Sequence, residues 1–477
     1  MQAIAGNAAT VPVDGEAGTG APSGAGPSPA ATVSRMSAPR NLTLGAGRQE
    51  PPSPDAAPWS VVDLFSGAGG MSYGFHAHPG FRVVGAVDAQ LGKPSTGRGT
   101  LGCNASYEAN IGVRPLTADL AVADPAEICR SLELQAAGAA VSGVARASLT
   151  GPGVTGAGVT GAGVTVLAAC PPCTGFSRTL AHNHVRDDAR NSLVGLVGSY
   201  AEILRPQIVL LENARELVMG RFSGHLRSLL ASLAALGYQT SATTHFLSDF
   251  GLPQRRERSV IIAVRQPLHL RDLGDLWARL RVSPKATHVR RALWELPLVE
   301  AGQADAGDAL HVSPALSSPI NRRRLAAIPH DGGGWADLVR HRDADALLTP
   351  TMRRRAEVRD FGSHPDVYGR LWWDRPSVTI KRECGHIGNG RYAHPEQDRL
   401  CTVREMSILQ GFPRDYAFVG SLSNMYRHVG DAVPPLISFQ LAGLCKWILT
   451  GERPTTLEMV LAGCHLTPDD VEAVSGP

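Results

Sequence analysis

The 477-residue sequence has little lysine: only four of its 46 basic residues, the rest being arginine. It is poor in aromatics, at 5%, and carries eight cysteines with no regular spacing. Each scarcity excludes something. So few cysteines in so long a chain do not make a disulfide framework, which favours a reducing, cytoplasmic setting. No apolar run reads as a membrane span, and residues 1–58 hold no signal-peptide core, so a soluble protein with no membrane partner is expected. The net charge of +3 is small. The arginine bias suits either a GC-rich genome or guanidinium forks on phosphates and guanine edges, and composition does not decide between them.

The length allows two or three domains. Residues 1–58 are rich in Gly, Ala, Pro and Ser and read as a disordered tail. From Trp59 onward, "WSVVDLF" (59–65), "FRVVGAVD" (81–88), "VTVLAAC" (164–170), "QIVLLEN" (207–213) and "RSVIIAV" (258–264) read as buried strands. Helical spacing lies between some of them, as in "PAEICRSLEL" (125–134). This alternation predicts an α/β fold with a doubly wound, parallel, Rossmann-like sheet over 59–265. Insertions are expected near 90–104 and 137–163, the second containing the repeat "GVTGA", to which no chemistry attaches. Residues 266–424 lose the rhythm and read as a smaller, irregular, arginine-rich domain. Residues 425–477, with the apolar helix "PPLISFQLAGLCKWIL", read as a return to the first domain.

The turn Gly67-Ala68-Gly69-Gly70 between the first strand and first helix lets backbone approach a nucleotide-like ligand. Asp88 closes the second strand 18 residues after Gly70, near where an acid binds ribose hydroxyls. Ser72 stands where a dinucleotide fingerprint would have its third glycine. That favours a nucleoside without a pyrophosphate, and S-adenosylmethionine fits.

The stretch "AACPPCTGFS" (168–177) holds a single C-x-x-C with no second pair to complete a zinc site, so no metal is expected. Its Pro- and Gly-containing continuation does not open an obvious helix, as a redox motif would. One nucleophile at the carboxyl end of a strand remains. Cys170 ends the apolar run and is expected in the core, whereas Cys173 sits at the proline-stiffened tip. Cationic neighbours, available in "QRRER" (254–258), would be needed to lower its pKa from about 8.5.

The ordered set "DLFSGAGG" (63–70), "PPC" (171–173), "LEN" (211–213), "PQRRER" (253–258), "REMSILQGFP" (404–413) and "VGDAVP" (429–434) resembles the DNA (cytosine-5)-methyltransferase family, as found in bacteria. The resemblance implies S-adenosylmethionine as cofactor, double-stranded DNA as substrate and a flipped cytosine attacked at C6 by Cys173. It implies Glu212, Arg256 and Arg258 as catalytic partners. Phe65, Ser66, Gly67, Ala68, Gly69, Gly70, Asp88, Asp119, Pro172, Asp431 and Val433 would surround the cofactor. Thr174, Ser177, Asn213, Gln254 and Arg256 would lie on the DNA side, with Asn213 bracing the loop and 266–424 recognising the target. A chain monomeric in action is expected, with a cognate restriction enzyme or other defence proteins as its biological company.

Departures from the family pattern are Asp431 in place of Asn, Thr174 in place of Gln, and Ala214 in place of Val. Two other readings fit part of the sequence: an RNA (tRNA) cytosine-5 methyltransferase, and a catalytically silent DNA-binding module. The long 266–400 segment weighs against the first, and the intact Cys173, Glu212 and Arg258 set against the second.

Overall fold

The computed structural model describes residues 58–93, 98–141, 163–172, 187–358 and 366–474. The expected disordered tail, most of the "GVTGA" repeat, and Cys173, Thr174 and Ser177 lie outside the described residues.

Seven strands form the central sheet: β1 (Trp59–Leu64), β2 (Phe81–Asp88), β3 (Leu116–Thr117), β4 (Val166–Ala169), β5 (Ile208–Ala214), β6 (Tyr238–Phe246) and β7 (Glu257–Arg265). Their order is β3-β2-β1-β4-β5-β7-β6. The first five run parallel, while β7 is antiparallel to both β5 and β6. The expectation of an all-parallel sheet is corrected at that edge. Strand direction leaves no trace in the apolar pattern of "RSVIIAV", because a strand buried on both faces reads the same either way.

Successive side chains alternate between faces, so each strand feeds two cores. Val61, Val83, Val166, Ala168, Leu210 and Ile262 face one cluster, whereas Val62, Leu64, Leu167, Leu211 and Ile261 face the other. The first is covered by α1 (Gly70–Ala77), α2 (Cys103–Ile111) and the C-terminal helix Pro435–Thr450. The second is covered by α3 (Pro125–Val141), α4 (Leu193–Leu204) and α5 (Gly224–Ala235). This is the doubly wound Rossmann-like arrangement. The C-terminal helix is apolar because it is buried nearly all round; Lys446, Leu449 and Thr450 reach toward the surface. It lies so close to α1 that a Cβ on Gly74 would sit 2.2 Å from the Phe439 backbone nitrogen.

The segment expected to be a surface insertion folds into a short hairpin, Leu91–Lys93 against Arg98–Thr100. The described residues between 289 and 432 carry little regular structure and a cluster of their own around Leu371, Trp373, Met406 and Phe412. A satellite cluster gathers Ile328, Trp335, Leu338 and Met352 between the arginine-bearing helices α6 (Pro319–Ala327) and α7 (Pro350–Glu357). Helix α8 (Val403–Leu409) opens with a capping box in which Thr402 and Glu405 satisfy each other's backbone N–H at 3.0 and 2.7 Å. It is followed by α9 (Leu422–Asp431) and α10, the Pro435–Thr450 helix.

Candidate active site

The strand order reverses between β1 and β4, and in open α/β sheets ligands bind outside the carboxyl ends at such a switch point. A small cavity opens there, lined by Phe65, Ser66, Gly67, Ala68, Gly70 and Met71 after β1, Cys170 after β4, and Leu101, His428, Asp431, Ala432 and Val433. Glycine is required in the turn for two reasons. Gly69 has φ +95°, and any Cβ there would lie 2.7 Å from Ile111; one on Gly70 would lie 2.2 Å from the Val433 carbonyl oxygen. The second contact lets the link between α9 and α10 close the cavity wall.

Asp88 holds this turn. Its carboxylate accepts hydrogen bonds from the Gly67 N–H at 2.9 Å, the Gln90 N–H at 2.6 Å and the Cys103 thiol at 3.3 Å. Beneath the turn Asp63 is fully buried and accepts from Ser72 Oγ at 2.6 Å; burial pushes its pKa up to about 7. Asp431 forms an ion pair with Arg382 at 3.0 Å and leaves about a third of its side chain (34%) exposed. Desolvation raises its pKa to about 6 against the pull of Arg382 and Arg256, so the group remains an anion at neutral pH. His428 is buried, its ring within 2.9 Å of the Leu101 carbonyl, and desolvation lowers its pKa. The close backbone approach at the glycine turn suits a nucleoside-bearing ligand at the switch point, while Asp88 lies outside the cavity lining with its carboxylate taken up by the turn. S-adenosylmethionine fits these residues.

The second half of the site lies at the end of β5. Glu212 and Arg258 point to the same face of the β5–β7 pair as diagonal neighbours, since Arg258 stands opposite Ala214 and Val260 opposite Glu212. The Arg258 Nε lies 2.9 Å from Glu212 Oε1, off the line of the N–H, so the contact is an ion pair rather than a directed hydrogen bond. Both side chains are about nine-tenths covered. Asn213 is fully buried, and its amide donates to the Pro171 carbonyl at 2.9 Å. That bond braces the chain two residues before Cys173.

Other expected site residues stand elsewhere. Gln254 is fully buried and spends its amide on Leu409, Gln410 and the Ile380 N–H. Arg256 is also buried and donates to the carbonyls of Ile380 and Ala432. Neither presents a surface to DNA; both hold the wall carrying Ala432 and Val433. Asp119 is exposed and bonds the Ala121 N–H at 3.0 Å, apart from the cavity lining. Pro172 is exposed and outside that lining. Cys170, expected in the core, packs against one core cluster yet also lines the cavity, because it is the first residue past β4. Leu101 and His428 line the cavity too. Nothing in the sequence marks Leu101, and His428 only precedes the "VGDAVP" block.

Residues 160–447 match the C-5 cytosine-specific DNA methylase family. The chain is 28% identical to the type II methylase M.HgiDII of Herpetosiphon aurantiacus, over 82% of this chain and 96% of that one. It is 27% identical to the type II methyltransferase M.AgeI of Thalassovita gelatinovora, over 81% and 99%. Mouse DNA (cytosine-5)-methyltransferase 1 is also similar, at 27%, but the match spans only 28% of that longer protein. Among solved structures, an E. coli prophage methyltransferase of the DNA modification type shares the fold with a TM-score of 0.52 at 20% identity, covering 82% of this chain and 99% of that one. The glycine turn, the switch-point cavity and the matched span lead to one assignment: the chain belongs to the C-5 cytosine-specific DNA methylase family, as a DNA (cytosine-5)-methyltransferase that uses S-adenosylmethionine.

Proposed function

We propose that the chain methylates C5 of a cytosine flipped out of a specific duplex sequence, through a transient bond from Cys173 to C6, as the modification arm of a restriction-modification or related defence system. The observation that carries this is the covered Glu212–Arg258 pair beside the start of the Cys173 loop. Cys170 lines the cofactor cavity and Asn213, next to Glu212 in the chain, grips Pro171, which supports a Cys173 loop that starts at the cavity and is tied to the strand bearing Glu212. The defence role rests on likeness to M.HgiDII and M.AgeI, both named as type II enzymes.

In this reading the Cys173 thiolate adds to C6, and the electron pair of the 5,6 double bond moves onto the ring. Glu212, bonded to the N3/N4 edge, stabilises the charge that develops there, and Arg258 fixes the orientation of that carboxyl. When bound, S-adenosylmethionine supplies an electrophilic methyl group. Loss of the C5 proton to a base then restores the double bond and expels the thiolate. Extruding the base costs a few kcal/mol of unstacking. Residues 266–424 would recognise the target, with exposed arginines such as Arg323 and Arg354 on phosphates.

The test is transfer of labelled methyl groups to duplex DNA and to tRNA. Transfer to DNA is expected, with Glu212→Gln reducing turnover by about 10²–10³-fold. Cys173→Ser should abolish transfer while cofactor binding persists. Transfer to tRNA alone, or undiminished turnover in Cys173→Ser, would contradict the proposal. Bisulfite sequencing of DNA from expressing cells would read the target site.

A further inference from the structure

Resting on the assignment of the cavity to S-adenosylmethionine, we infer that Asp431 makes the site prefer the cationic methyl donor over the neutral thioether, S-adenosylhomocysteine, that transfer leaves behind. Asp431 is the one acid among the described residues that line the cavity. Its counter-ion does not share that position. Arg382 stands behind it, with Nη1 at 3.0 Å from the carboxylate and Nη2 donating to the Gly92 and Leu91 carbonyls at 2.6 and 3.4 Å. Tied to the Leu91–Lys93 strand, the guanidinium stands outside the cavity lining, so Asp431 is the member of the pair that reaches the ligand.

The two ligands differ by a methyl group and one positive charge at sulfur. Their adenosine and amino-acid ends are identical, so contacts to those parts drop out of the ratio of affinities. What remains is the interaction of the sulfonium with the field in the cavity. A carboxylate on the wall favours the charged ligand and loses that advantage once the charge is gone. Arg382 and Arg256, both outside the lining, weaken that field. The consequence is faster discharge of spent cofactor and weaker product inhibition than a neutral side chain at this position would give.

The experiment is calorimetric binding of each ligand, without DNA, to the full chain and to two variants. Asp431→Asn keeps the shape and removes the charge; the preference for S-adenosylmethionine should fall by roughly 3- to 10-fold, through weaker binding of the cation. Arg382→Met should move the ratio the other way. In the unsubstituted chain the preference should narrow between low salt and about 1 M, where screening shortens to about 3 Å. An equal change for both ligands in Asp431→Asn, together with a salt-independent preference, would overturn the inference and leave Asp431 a wall residue only. Failure of the unsubstituted chain to bind S-adenosylmethionine would instead overturn the cofactor assignment itself.

Discussion

The sheet region and the region spanning 289–432 bury charge in opposite ways. Under the glycine turn, Asp63 is enclosed with a hydroxyl and, among the described residues, no cation, and its pKa rises to about 7. In the irregular region Glu405 is just as enclosed, but Arg399 grips both its oxygens at 2.7 Å and its pKa falls to about 2. The contrast extends to the cores. The sheet satisfies its own backbone through ladder bonds and fills the space with aliphatic side chains. The 289–432 region has few ladders, and arginine supplies the missing donors. Arg370, fully buried, donates to the carbonyls of Leu325, Ile328, His394 and Gln397 and pairs with Asp398. Arg391 likewise serves Gly332, Gly333 and Arg370 itself. The buried arginines of this region therefore work as structural mortar, a use that neither genome composition nor DNA binding anticipates.

The comparison is broken most directly at Arg370. Arg370→Met leaves four carbonyls without their donor, while the half-exposed Asp398 is rehydrated, and should cost about 3–5 kcal/mol in denaturant unfolding. A loss below about 1 kcal/mol would mean that the mortar is dispensable. The pH dependence separates the two carboxyls next. Asp63 has its folded pKa above the unfolded value, so its ionisation opposes folding and stability drains away as pH rises from about 4 through about 7. Asp63→Asn should flatten that slope. Glu405 has its folded pKa below the unfolded value, so its contribution is full above about 4.5 and is lost as pH falls toward about 2. Glu405→Gln should remove that acid-side loss. Parallel slopes in both variants would undo the contrast. The smallest effect belongs to the sheet: Ile262→Val, a one-methylene deletion in an aliphatic core, should cost about 0.5–1.5 kcal/mol.

The strands that position the site were readable because they are short apolar runs ending in polar residues, as at Asp63, Asp88 and Glu212. β6 was not: "YQTSATTHF" lies half-covered at the sheet edge, and its alternation is polar on polar. The glycine turn was legible because its backbone geometry demands that residue type, whereas Asp88, expected on ribose hydroxyls, holds the turn through the Gly67 N–H, a use its spacing does not distinguish. Gln254 and Arg256 misled because a donor that binds a phosphate and a donor that binds a buried carbonyl are the same residue. Only burial separates them, and burial here depends on the distant Ile380 and Ala432.

The central claim is that a sulfur leading off the braced Pro171 turn attacks the pyrimidine. Duplex DNA carrying 5-fluorocytosine in the target site, incubated with the enzyme and S-adenosylmethionine, tests it most directly, because the fluorine blocks the proton loss that would free the enzyme. Peptide mapping should find the DNA joined to Cys173 and to no other cysteine. An active preparation that forms no adduct, or one joined through Cys170, would contradict the account.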